Sequence, residues 1–136
     1  MATLPSGLPD LVADEEDLAR FLTQSNQFNA LMAKPAAFLP NPKDRETSVS
    51  RHGSEPLSRL WALGLDAARD RHLHGAAIFK AHTVREAQLD VVADEPPPYH
   101  GAIRGWPWNE ADPDLQKAKQ KEMASVIASR AVLLMR

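Results

Sequence analysis

The chain has 136 residues, 43% of them hydrophobic, enough for one domain with its own core and too many for a wholly disordered chain. Its 16 Lys and Arg against 18 Asp and Glu leave a formal net charge of −2, so any nucleic-acid binding requires a local basic patch. The absence of cysteine excludes disulfide staples and thiolate metal sites, and no apolar run is long enough to cross a bilayer.

Residues 1–13 mix proline, glycine and isolated leucines and are expected to form a flexible arm. They lack the basic start and apolar run of a secretory signal, so a cytoplasmic location is the expectation. Residues 14–136 are expected to make a single α+β domain. Asp14 has the chemistry of an N-cap ahead of Glu15, Glu16 and Asp17, and Leu18, Phe21 and Leu22 follow the i, i+3, i+4 stripe of a short helix ending near Gln24. "FNALMA" (28–33) fits a strand or a helical turn equally, and Lys34-Pro35 ends it. "FLPNPKDRET" (38–47) is a proline-punctuated loop, and "SVSR" (48–51) has the β-branched centre of a short strand.

Ser54, Glu55 and Pro56 form a helix start, with Leu57, Leu60, Trp61, Leu65 and Ala68 on one face of a helix reaching about Arg69. "RHLHG" closes it, with Gly75 available for a left-handed turn. "AAIFKAH" (76–82) reads as a strand, and Thr83 with Glu86 has capping-box spacing for one helical turn before the strand "LDVVA" (89–93). "DEPPPY" reads as a rigid extended link into the strand "HGAIRGW" (100–106). Asp112-Pro113 opens a last helix whose stripe runs through Leu115, Ile127, Ala131 and Leu134, with "QKAKQKE" on its wet face. The sum is α+β: a small antiparallel sheet of four to five short strands against two or three helices, with the long C-terminal helix across one face.

Alternation in the strand 100–106 puts His100, Ala102, Arg104 and Trp106 on one face and Ile103 on the other, toward the core. His100 is then a candidate acid/base, though it can equally anchor the proline loop by hydrogen bonds. It lies about 13 Å from Arg104 along the strand, so a partnership needs groups from a neighbouring strand. Tyr99, Trp106 and Trp108 are candidate binding groups that suit core cover as well as stacking.

In the segment 48–51, Ser48 and Ser50 share one face, and Arg51 shares the other with Val49. A core-facing arginine demands either a salt bridge, to an acid such as Asp90 or Asp94, or a pocket for a carboxylate or phosphate. His72 and His74 form an H-x-H pair with no third ligand nearby, and cationic residues at a helix end account for it; neither a metal centre nor a cofactor is expected. Glycine-rich dinucleotide and P-loop motifs are absent, and no nucleophile elbow surrounds a serine.

The segments "KPAAF" (34–38), "SVSR" (48–51) and "GAAIFKAHTVREAQLDVVADEPPPYHGAIRGWP" (75–107), followed by an amphipathic helix, resemble a group of small bacterial proteins from mobile or defence-associated loci over residues 34–134. The resemblance implies a bacterial accessory protein and brings no activity, cofactor or site residue with it.

Two functions are therefore expected from different classes. One is an accessory or binding module that docks a protein partner, or joins a larger assembly, through the proline-tryptophan edge and exposed arginines. The other is a small enzyme acting on a nucleotide or RNA phosphate, with Arg51 and Arg104 clamping the anion and His100 as acid/base; it requires those three side chains to converge.

Overall fold

A computed structural model describes residues 2–52 and 55–136. Six strands form one antiparallel sheet: β1 (Asp17–Leu22), β2 (Thr47–Ser50), β3 (Gly75–Lys80), β4 (Asp90–Ala93), β5 (His100–Arg104) and β6 (Val132–Met135). Their order across the sheet is β4-β5-β2-β1-β3-β6. The helices are α1 (Leu57–Ala68), α2 (Ala81–Glu86) and α3 (Pro113–Arg130). The fold is α+β as expected, with one or two strands more than the sequence suggests. None of the described helices is long and apolar enough to cross a membrane.

The additional strands arise at the two ends of the domain. Residues 17–22, expected as helix, form β1, which pairs with β3 over its full length from Asp17–Lys80 to Leu22–Gly75. Leu18 and Leu22 enter the main core while Ala19 packs against α1 on the opposite face. A central strand buried on both faces shows no clean alternation, and so mimics a helical stripe. At the other end α3 stops at Arg130, and the aliphatic run expected to continue it, Leu134 included, becomes the edge strand β6 beside β3. Gly75 does not supply the left-handed turn after α1; Arg69 does, at φ 57°. Gly75 instead permits the close approach of β6, since a Cβ there would collide with the Leu134 carbonyl oxygen.

The other elements follow their local chemistry. Asp112 caps α3 by accepting from the Leu115 N–H at 3.1 Å, with Pro113 in the first turn. The helical turn after β3 forms, but it begins at Ala81, so Thr83 lies inside it and caps nothing. Pro56 precedes α1; the expected Ser54 cap falls outside the described residues. "FNALMA" closes as a tight loop whose Asn29 side chain accepts from the Leu31 and Met32 N–H groups. The Asp94–Tyr99 link, expected as extended, turns back on itself so that β4 and β5 become hairpin neighbours, Ala93 opposite Gly101. The N-terminal segment carries a Thr3–Pro9 bridge, a buried Val12 and a hydrogen bond from the Ser6 hydroxyl to Glu95.

Helix α3 covers one sheet face over the main core, with Phe38, Phe79, Ile103 and Ile127 among its buried residues. Helix α1 lies on the other face, where Leu60 packs with Ala19 and Ala76, half-buried Phe21, Trp61, Ile78 and Leu134 around them. Those contacts all fall on β1, β3 and β6. No residue of β2 or β5 belongs to that cluster, although Ser50 and Ala102 on the same face are themselves buried.

Candidate functional site

Residues of β2 and the start of β5 form the floor of a cleft of about 780 Å³ with α1 as its wall. The registration of β2 with β5 places Ser50 opposite His100 and Ser48 opposite Ala102. Strand alternation then puts both serines and His100 on the cleft side, and all three line it. Tyr99 borders the cleft beside His100, and Ala62 and Leu63 of α1 supply apolar wall.

His100 is held in one orientation. Its Nδ1 lies 2.9 Å from the Asp94 carbonyl oxygen and 3.2 Å from Asp94 Oδ2. A carbonyl oxygen only accepts, so the neutral ring carries its proton on Nδ1 and keeps the Nε2 lone pair free. The Asp94 N–H returns a bond to the His100 carbonyl, which continues the β4–β5 ladder by one pair. Asp94, His100 and Ser50 therefore form a row across three adjacent strands.

Arg59, Arg69 and Arg71 of α1 and its C-terminal turn also line the cleft. Arg20, which by alternation leaves β1 on the Leu18 and Leu22 side, borders it beyond the single Ala19–Ser50 pair that joins β1 to β2. Arg45, Arg51, Arg85, Arg104 and Arg130 each pair with a carboxylate. Among the described residues no carboxylate lies within 4.0 Å of the four cleft arginines. Three of them are braced by neutral groups instead. Arg20 donates from Nε to the Ala37 carbonyl at 2.7 Å and from Nη1 to the Ser48 carbonyl at 2.9 Å. Arg71 donates to the Ala67 and Ala68 carbonyls at the end of α1. The Arg59 guanidinium stands 5.4 Å from the centre of the Tyr99 ring, a cation–π contact. Burial, and then the like charge of Arg71, lower the Arg20 pKa to about 10. Glu46 on the cleft wall is engaged by Arg104 outside it, which leaves Asp66 as the opposing charge.

The residues singled out from sequence divide between this cleft and other places. Ser48, Ser50, Tyr99 and His100 come together in it. Arg51 does not join them: it follows Ser50 on the opposite face and is fully buried, with Nε 2.7 Å and Nη2 2.8 Å from the Glu16 carboxylate. Its partner is neither Asp90, which binds Arg85, nor Asp94, which binds His100. Arg104 pairs with Glu46 on the outer surface. The two expected anion clamps are thus engaged elsewhere, and no convergence of Arg51, Arg104 and His100 occurs.

Trp106 breaks the expected alternation. Gly105 adopts φ 96°, a left-handed conformation open to glycine, and turns the next residue onto the Ile103 side, where Trp106 is buried in the main core. Trp108 is half-buried beneath Arg45, whose guanidinium lies 4.7 Å from its ring. The rings of His72 and His74 sit edge to face at 4.5 Å, and among the described residues no group of three His, Asp or Glu is placed to hold a metal.

The sequence pattern hides the cleft arginines, because Arg20 falls within an apparent helical stripe and Arg59 on the polar face of α1. The cluster "RDR" around residue 70 is the available signal, since Arg69 and Arg71 belong to it. No known protein family, curated protein or solved structure matches the chain.

Proposed function

We propose that this protein is a binding module that holds an anionic ligand group, phosphate or carboxylate, in the cleft between α1 and the β2–β5 floor. The carrying observation is that Arg20, Arg59, Arg69 and Arg71 line one cleft with no carboxylate partner among the described residues, while five other arginines are ion-paired. Arginines braced by carbonyls and an aromatic ring are pre-oriented, so an incoming anion gains charge-assisted hydrogen bonds at little ordering cost. A ligand between Arg20 and Arg71 also relieves the like-charge repulsion that adds to burial in lowering the Arg20 pKa. Docking to a partner, the accessory role expected from sequence, then uses a different contact surface. The tryptophan edge is taken up by the core and by Arg45, so the group recognised is one that enters the arginine cleft.

The test is calorimetric titration of the purified protein with pyrophosphate and with an acidic peptide. Tight binding to either, weakened at least tenfold in Arg59→Ala and Arg71→Ala, is the expected result, each lost charge-assisted contact amounting to about 1.5–3 kcal/mol. Absence of binding to both anions at low ionic strength would remove the reading. A catalytic reading is favoured by one further observation, the imidazole locked by Asp94 at the cleft floor.

A further inference from the structure

We infer that the cleft is a ribonuclease site: it takes a single-stranded RNA phosphodiester, and His100 is the general base that activates the 2′-hydroxyl. This rests on the anion-binding reading of the cleft and names its ligand.

Three features select RNA over an isolated carboxylate. The cationic groups are spread rather than gathered. Arg59 stands at the Tyr99 end, while Arg20 reaches the Ser48 carbonyl, two residues or about 7 Å along β2 from the row of Ser50 and His100. A ligand that satisfies both ends carries charge along its length, as a nucleic-acid backbone does. An aromatic ring, Tyr99, lies among these cations, and single-stranded RNA is recognised by stacking bases on such rings and on arginine planes. Finally, the imidazole on the floor has Nδ1 committed to Asp94, which leaves Nε2 to take a proton. Asp66 is the acidic group on the wall not engaged in an ion pair, so the cleft keeps an excess of positive charge.

RNA carries its own nucleophile, so the protein has to supply only proton transfer and charge stabilisation. Ser50 is 7% exposed within a strand and serves better as a polar neighbour of the reacting groups than as an attacking group. The 2′-oxygen attacks the adjacent phosphorus and its proton passes to His100 Nε2. The cleft arginines stabilise the charge that builds on the non-bridging oxygens. The P–O5′ bond breaks, the 5′-oxygen takes a proton from water, and the imidazolium returns its proton to the hydroxide left behind. The products are a 2′,3′-cyclic phosphate end and a 5′-hydroxyl end.

The experiment incubates the 136-residue protein with a 5′-labelled RNA 20-mer of mixed sequence, and with the same oligomer fully 2′-O-methylated. Binding of both, cleavage of the unmodified strand alone, and fragments with the mass of a 2′,3′-cyclic phosphate are expected. His100→Ala and His100→Asn, each checked for native circular dichroism, lower the cleavage rate by about 10²–10⁴-fold. Lys117→Ala, on the exposed face of α3, leaves it unchanged. Intact RNA under conditions where the methylated oligomer is bound overturns the inference while the anion-binding reading stands. The ribonuclease assignment also fails, and anion binding survives, if pyrophosphate or the acidic peptide binds and RNA does not, or if cleavage persists in both His100 variants. If neither RNA nor the smaller anions bind, both fall together.

Discussion

Arg51 and His52 are consecutive residues that bury polar groups with opposite consequences. Arg51 meets Glu16 in a two-pronged ion pair, its own side chain fully shielded and that of Glu16 14% exposed. Removing one member leaves the other charge buried, which costs about 3–5 kcal/mol, whereas replacing both with neutral groups is close to neutral. Arg51→Met should therefore lower the urea midpoint sharply, and the double variant Arg51→Met/Glu16→Gln should recover most of the loss.

His52 has no such partner: its Nε2 is buried without a hydrogen bond. Burial lowers its pKa below the ordinary 6.5, against the opposing pull of Asp17, Glu16 and Glu55. The unfolded chain then takes up the proton first as pH falls. Stability associated with neutral His52 is complete above pH 6.5 and declines as pH drops through the folded-state pKa. Unfolding midpoints measured from about pH 8 to about pH 5 should fall less steeply in His52→Gln than in the parent protein.

At the scale of elements, the contrast between α3 and β1 shows where local chemistry suffices. Asp112, Pro113 and a long run free of glycine and proline specify the start and course of α3, and Asp112→Ala should cost about 1 kcal/mol through loss of its cap. Its end is less local: Ala131–Arg136 has no helix-stopping glycine or proline, and β3 captures Val132–Met135 as an edge strand. Gly75 is the hinge of that choice, because any side chain there meets the Leu134 backbone. Gly75→Ala is predicted to cost about 1–3 kcal/mol, the usual range for forced overpacking. Faster hydrogen exchange at the amides of residues 132–135 than at those of β1 would show that β6 detaches first. For β1, the stripe at Leu18, Phe21 and Leu22 satisfies both helix and buried strand, and the pairing with β3 decides.

On the scale of the whole molecule, the cleft holds function and stability in opposition. Unpaired arginines facing one another lower the stability of the free protein and favour its anionic complex, a trade-off common at binding sites. Arg71→Gln removes the like charge that adds to burial in lowering the Arg20 pKa, and the glutamine amide partly offsets the lost bonds to the Ala67 and Ala68 carbonyls. The thermal midpoint of the ligand-free variant should therefore be unchanged or slightly higher. The same change should reduce the midpoint gain produced by saturating pyrophosphate, since ligand stabilisation follows affinity. A scan of both proteins with and without the anion measures the two effects together.

Composition and short-range pattern determined by themselves that the chain makes an α+β domain, where α1, β2, β3, β4 and β5 run and where α3 begins, and that the serine-bearing and histidine-bearing strands carry polar faces. Those are properties of caps, periodicity and turn residues acting over a few positions. Pairing across the sheet is a different matter, because it joins residues tens of positions apart. It alone decided that His100 stands opposite Ser50 and beside Asp94, that Arg51 turns away to Glu16, and that the cations of the cleft come from β1 and from α1 with its C-terminal turn. Strand alternation shows which residues share a face; only the neighbours that tertiary contacts supply determine whether that face closes into core or opens as a site.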